Sequence, residues 1–159
     1  MNVFYLSNDV KECAELHCDK HVVKMILECA QLLSTAHHVF ESAVAEEVYK
    51  KTHVNHPSAV WIRESDTHYN YVYKLMLALG TEYTNRYHKH HLTIKKMEEL
   101  LSQPPEGIPQ AGWQDPPQCM PDECKHKDTT VAYMTYYNHK ADDWASSGSP
   151  MKWYGETNE

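Results

Sequence analysis

Residues 17–38, HCDKHVVKMILECAQLLSTAHH, place six reactive or polar groups at short helical spacings: His17, Lys20, His21, Lys24, Glu28 and Gln31. On a helix Lys24 and Glu28 are i,i+4 neighbours and His21 and Glu28 lie i,i+7 apart, so an amine, an imidazole and a carboxylate converge within two turns. That is the inventory of an acid–base site. An amine beside a carboxylate and shielded from water can act as a Schiff-base nucleophile, with Glu28 handling the protons. Asp19 offers a second carboxylate on the same helix. The expected catalytic set is therefore Lys24, Glu28, His21 and Asp19, against the plainer alternative of a solvated face carrying one i,i+4 ion pair worth ~0.2–0.5 kcal/mol.

A metal site is the alternative chemistry. Cys13, His17 and His21 stand at i, i+4 and i+8, and an HxxxH pair can chelate zinc from one helical face. The zinc-protease version of that pattern needs a glutamate beside the first histidine, where this chain has Cys18. The expectation is accordingly no cofactor, with a divalent metal on His17 and His21 as the alternative. Cys119 and Cys124 are five apart with His126 beyond them, which does not match a zinc knuckle.

A second constellation, NHPSAVWIRES over 55–65, brings His56, Ser58 and Arg63 to the first turns of another helix, whose N-terminus attracts anions through free N–H groups. Lys20, Gln31, His56, Ser58, Arg63 and Tyr69 form the expected substrate-binding set, and Trp61 is read as core. Eleven tyrosines supply amphipathic surface, mostly core or rim, some able to stack on bases. His88, His90 and His91 in RYHKHH sit where a helix end favours cations, and read as a helix-end cap rather than a ligand cluster.

These groups must be held by a helical scaffold. VFYL at 3–6 is a short β-prone run, and Asp9 with Glu12 three residues on resembles a capping box that starts a helix at Val10. From Asp19 onward Val22, Ile26, Cys29, Leu33, Ala36 and Phe40 step by four and three, the helical period, and predict a buried stripe. At 100° per residue Lys20, Lys24, Glu28, Gln31, Thr35, His38 and His17 fall within about 40° of the opposite face, with His21 at its edge and Leu27 as an apolar intruder. Residues 41–55 lose the period. Pro57 then opens a second long helix predicted over 57–87, with Trp61, Ser65, Tyr69, Val72, Met76, Leu79 and Tyr83 facing inward.

Thr93 can cap a shorter helix over IKKMEELLS. Six prolines and two glycines in 103–123 exclude regular helix or central strand, so this is a long ordered loop with Ile108, Trp113, Cys119 and Met120 to bury. A last helix is predicted over 128–145, carrying Val131, Met134, Tyr137 and Trp144, and the aromatic tail 146–159 is expected to dock on the body. The fold class is mostly α: one compact single-domain helical bundle over 1–159 with two long helices, a short N-terminal β-prone segment and a long Pro-rich loop.

Composition narrows the functional classes. Apolar residues at 42% and charged residues at 23% are ordinary for a soluble globular protein. No run approaches the ~20 apolar residues of a membrane helix, and MNVFYLSND lacks a secretory pattern. Five cysteines without a secretory context read as reduced thiols in a cytoplasm. The net charge of −7 argues against a broad electrostatic grip on nucleic acid, so any such contact must be local.

At HCDKHVVKMILECAQLLSTAHH and NHPSAVWIRES the chain resembles a family of short, mostly uncharacterised bacteriophage proteins, which would place it in a host cell's cytoplasm. More loosely it resembles the phage pyrimidine-dimer DNA glycosylases with abasic-site lyase activity: similar in size and all-helical, with a long first helix, a second beginning near a Ser/His-Pro turn, and an aromatic tail like MKWYG. That resemblance implies an N-terminal amine attacking the sugar C1′ with help from a glutamate on the first long helix. This chain departs from the pattern, because Asn2 is larger than the residues that permit removal of Met1, and the glutamate position falls near Lys24. Retained chemistry would draw its amine from Lys24 or Lys20 and its carboxylate from Glu28 or Asp19. The expected function is a DNA glycosylase/lyase-like enzyme acting on a base–sugar linkage, with DNA or a nucleotide as partner and no membrane. The alternatives are a metal-dependent nucleotide or phosphoester hydrolase using the helix histidines, and a non-enzymatic binder of a host factor through the 103–123 loop.

Overall fold

The computed structural model describes residues 2–146. Over those residues the chain forms α1 (Val10–Leu16), α2 (Asp19–Val39), α3 (Pro57–Arg63), α4 (Asp66–Tyr87), α5 (Leu92–Met97) and α6 (Thr129–Ser146), with a single 3-10 turn at Asp122–Cys124. The helix-rich bundle follows from the sequence periodicity, and no strand occurs among the described residues. The tail from 147 onward lies outside them.

The β-prone run 3–6 joins no strand, and its Leu6 N–H turns back to the Phe4 carbonyl at 3.1 Å. Its four side chains are nonetheless at most 5% exposed, because the segment threads between helices instead of joining a sheet. Asn2 Nδ2 donates to the carbonyl of Cys119 (2.9 Å), and the Cys13 thiol donates to that of Phe4 (3.2 Å). Asp9 caps α1 as the sequence predicts, accepting from the Glu12 N–H at 3.1 Å.

α2 runs through the middle of the molecule, packed on α4, α3 and α5. Val22, Ile26, Cys29 and Leu33 are fully buried and Ala36 nearly so, while Phe40 is only half-buried. The opposite face divides in two. From Lys20 to Gln31 it is open, but Thr35 is fully buried and His38 half-buried, because the non-periodic segment 41–55 folds back over them. Thr52 N–H donates to Thr35 Oγ1 (3.1 Å), Tyr49 N–H to Ser34 Oγ (3.2 Å), and His38 Nε2 to the Tyr49 carbonyl (2.9 Å).

The helix predicted over 57–87 is two helices. Ser65 is extended (φ −157°, ψ 143°) and N-caps α4, accepting from the Thr67 N–H, while the Asp66 N–H donates to the Pro109 carbonyl at 2.8 Å. A serine followed by aspartate is itself a start signal, and the break gives the Pro-rich loop an anchor. Tyr69, Val72, Met76 and Leu79 are fully buried as predicted, and Tyr83 is half-buried.

α5 begins earlier and ends sooner than predicted. Its cap is His91, whose Nδ1 accepts from the Thr93 N–H (3.2 Å), and Thr93 itself is buried. α5 lies close on α4 at Gly80, where a Cβ would stand 2.9 Å from Ile94 Cγ1. His88 ends α4 in a left-handed conformation (φ 59°), so the RYHKHH run caps the end of α4 as expected, and its last histidine also starts α5.

The 103–123 loop is ordered by bonds to α3 and α4. Trp61 Nε1 donates to the Gln114 carbonyl (3.0 Å), the Gln114 N–H to His68 Nε2 (2.9 Å), and Thr67 Oγ1 to the Gly112 carbonyl (2.7 Å). Trp113, predicted to be buried, is 41% exposed, and so is Val131 on α6. α6 closes over the N-terminal segment through Tyr133 and Tyr137, both fully buried beside Phe4. No helix among the described residues is long and apolar enough to cross a membrane.

Candidate active site

The sequence-predicted catalytic residues divide among three places. Lys24, Glu28 and Gln31 line a pocket of about 610 Å3 together with Val23, Leu27, His53 and His91. Lys24 Nζ is 3.7 Å from Glu28 Oε2. The Lys24 side chain is 67% exposed and that of Glu28 only 15%. Contrary to the expectation of a shielded amine, the carboxylate is therefore the covered partner. Val23 and Leu27, each about 40% exposed, give the pocket an apolar floor on the same helix face.

His21 does not join Glu28. It is 5% exposed, its Nδ1 is 2.6 Å from the Tyr137 hydroxyl, and its ring stacks on Phe4 at 4.4 Å between centroids. His17, placed on the solvated face by helical projection, is fully buried because α1 and α2 part at His17–Cys18 and the projection does not carry across the break. His17 Nδ1 donates to the Cys13 carbonyl (2.7 Å), which leaves Nε2 as a bare acceptor with no partner among the described residues. Burial holds the pKa of His17 down at about 4 and that of His21 at about 3, with Arg86 pushing His17 and His17, Lys140, Lys24 and Lys20 pushing His21 the same way. Both rings are therefore neutral near pH 7. Among the described residues no three His, Cys, Asp or Glu side chains gather where they could hold a metal ion.

Asp19 belongs to a third cluster. Arg86 at the end of α4 donates through Nη1 to Asp19 Oδ1 and to the His17 carbonyl (2.9 Å each), through Nη2 to the Glu15 carbonyl (3.0 Å), and through Nε to Glu82 (2.8 Å). This guanidinium fixes the α1–α2 junction on α4, and its side chain is 8% exposed. Lys20 lies 4.8 Å over the Trp144 ring, a cation–π arrangement.

The second constellation supports the scaffold. His56 N-caps α3, its Nδ1 accepting from the Ser58 N–H (3.1 Å), and Ser58 is fully buried with Oγ 3.9 Å from Cys119 Sγ. Arg63 donates to the Val54 carbonyl (2.7 Å), holding the segment that presents His53. Tyr69 is fully buried. Its hydroxyl donates to the Leu101 carbonyl (2.9 Å) and accepts from His37 Nε2 (2.7 Å).

His53 and His91 complete the groove without having been singled out for it. His53 sits exposed at φ 49° in the 41–55 segment, its Nδ1 2.8 Å from Thr52 Oγ1, a conformation that no sequence pattern announces. His91 donates through Nε2 to the Val23 carbonyl (3.1 Å), which ties α5 to the groove. Its only sequence signal is the capping position before Thr93. His91 also lines an adjoining hollow of about 530 Å3 with Thr81, Thr84, Asn85, His90 and Lys95, so the two cavities share a wall.

Residues 1–95, which include every residue of the groove, match the family model described as pyrimidine dimer DNA glycosylase. No curated protein and no solved structure matches the chain.

Proposed function

The chain belongs to the pyrimidine dimer DNA glycosylase family, and from that premise we propose that it acts on a base–sugar linkage of DNA at the Lys24–Glu28 groove. The observation that carries the reading is the amine and the covered carboxylate 3.7 Å apart at the mouth of a pocket large enough for a base and its sugar. In this reading the Lys24 nitrogen attacks C1′, the C1′–N bond to the base breaks, and the base leaves with the bonding pair and takes up a proton. Glu28 accepts a proton from the attacking nitrogen, the nitrogen lone pair then expels O4′ as the C1′–O4′ bond breaks, O4′ takes up that proton from Glu28, and the ring-opened C1′=N imine forms. Lys24 is open to water in the free protein, so the docked strand itself must cover it. Val23 and Leu27 give a base apolar contact, and the Gln31 amide offers a donor and an acceptor. The adjoining hollow, with Lys95, His90 and two threonines, gives a local path for the backbone in a chain whose overall charge is −7.

Borohydride trapping tests this reading. The protein is incubated with duplex DNA carrying either a pyrimidine dimer or an abasic site, the imine is reduced, and the adduct is mapped by peptide mass spectrometry. The expected result is a covalent adduct on Lys24 that is lost in Lys24→Ala and reduced at least about a hundredfold in rate in Glu28→Gln. An adduct on the N-terminal peptide would retain the activity but overturn the assignment to Lys24. No adduct and no base release on either substrate would overturn the reading as a whole.

A further inference from the structure

A separate cleft lies between the N-terminal segment, the start of α4 and the Pro-rich loop. It encloses about 390 Å3 and is lined by Tyr5, Asn8, Val10, Thr67, Asn70, Tyr71, Lys74 and Trp113, none of which lines the Lys24–Glu28 groove. Three aromatic rings from three distant parts of the chain meet there: Tyr71 and Trp113 at 5.2 Å between centroids, Tyr5 and Tyr71 at 5.6 Å, Tyr5 and Trp113 at 5.9 Å.

Trp113 is 41% exposed, yet it is not loose. Its indole N–H donates to Asp115 (2.9 Å), and its chain neighbours are held by Thr67 on the Gly112 carbonyl and by His68 on the Gln114 N–H. Gly112 has φ 82°, a conformation costly for any side-chain-bearing residue, and it turns the loop so that the indole lies against Tyr71 and Tyr5. An exposed tryptophan held this firmly presents a flat apolar surface at little entropic cost.

Several polar groups of the cleft have no partner among the described residues. Tyr5 is 95% buried, and its hydroxyl makes no hydrogen bond to any described residue. The amides of Asn8 and Asn70 and the ammonium of Lys74 also have no hydrogen-bond or ion-pair partner among the described residues, although Tyr71 donates to Cys13 and Thr67 to Gly112. One exposed indole face set edge-to-face against Tyr71, two amides able both to donate and to accept, and one cation describe the recognition of a planar hydrogen-bonding ring with an anionic neighbour.

We propose that this cleft is a second ligand site that binds a nucleobase together with its phosphate, the ring stacked on Trp113 with Tyr71 at its edge, its polar edge on Asn8 and Asn70, and the phosphate on Lys74. A sugar would use the indole face and the amides but has no need of the lysine, and this makes the nucleotide the better fit. The same chemistry can come from a free nucleotide or from an unstacked nucleotide within a strand.

Tryptophan-fluorescence titration of the full chain tests the proposal, using the four deoxynucleoside 5′-monophosphates, a single-stranded pentanucleotide, inorganic phosphate and maltose as probes. The expected result is saturable quenching by at least one mononucleotide or by the pentanucleotide, weakened at least about tenfold in Asn70→Ala and in Trp113→Ala. Lys74→Ala should weaken the nucleotide more than the matching nucleoside. Lys24→Ala, which removes the amine of the proposed active groove, should leave mononucleotide binding at the cleft unchanged, so the two sites fail or stand separately. Quenching by mononucleotides assigns the cleft to free nucleotides, and quenching by the pentanucleotide alone assigns it to a strand. Binding of maltose with an affinity equal to that of the nucleotides, or nucleotide binding indifferent to both Asn70→Ala and Lys74→Ala, or no nucleotide binding at millimolar concentration, overturns the proposal.

Discussion

Acidification from pH 7 to pH 5 should destabilise the fold by about 4 kcal/mol through two side chains. His17 and His21 are buried against Phe4 and Tyr137 and are held neutral, with pKa values near 4 and 3 against an ordinary value of 6.5. Their folded-state pKa values are depressed, so the unfolded chain binds protons first. The stability they contribute is fully present above about pH 6.5 and is lost as pH falls toward 4 and then 3. At pH 5 the unfolded rings are almost fully protonated and the folded ones almost not at all, which costs about 2 kcal/mol for each histidine. The sum is a large part of the ~5–15 kcal/mol that holds a domain together. His37, lowered to about 4 by burial, acts in the same direction. Urea titrations followed by tryptophan fluorescence at pH 7, 6 and 5 measure the effect. His21→Phe keeps the ring stacked on Phe4 but cannot titrate, and should remove about 2 kcal/mol of the loss between pH 7 and pH 5. Unfolding free energies at pH 7 and pH 5 that agree within about 1 kcal/mol would refute the claim that these histidines are buried and neutral.

Other outcomes follow from single contacts. Tyr69→Phe strands the Leu101 carbonyl and the His37 N–H in the core and should cost about 2–3 kcal/mol in a urea titration. Arg86→Lys keeps a charge but cannot reach two carboxylates and two carbonyls at once, and a drop in melting temperature corresponding to about 2–4 kcal/mol is expected by circular dichroism. Ile26→Ala, at a fully buried position of α2, should cost about 2–5 kcal/mol. Burial raises the thiols of Cys13, Cys18, Cys29 and Cys124, so in the native protein a thiol-reactive dye should label the half-buried Cys119 first and the others only on unfolding.

The helical character of the chain, the buried stripe of α2 and the core face of α4 were determined by the sequence alone, because apolar residues spaced by three and four can be buried together only on a helix. Helix starts were readable where a capping side chain and the helix it begins are neighbours in the chain, as at Asp9 and Pro57. The pairing of Lys24 with Glu28 was readable for the same reason, since i,i+4 is a local geometry. What lies on the other side of a helix face is not local. Helical projection placed His17 with Lys20 and Lys24, but the break at Cys18 turned it into the core. Only the chain's return put Tyr137 on His21, Arg86 on Asp19, and His53 and His91 beside Glu28. The tertiary structure also decided which half of the polar stripe stays open, because residues 41–55 have no period of their own and cover Thr35 and His38 only once the turn after α2 is formed. Periodicity and capping act over a few residues and can be read from the chain, whereas a groove is made by segments that become neighbours only when the core closes.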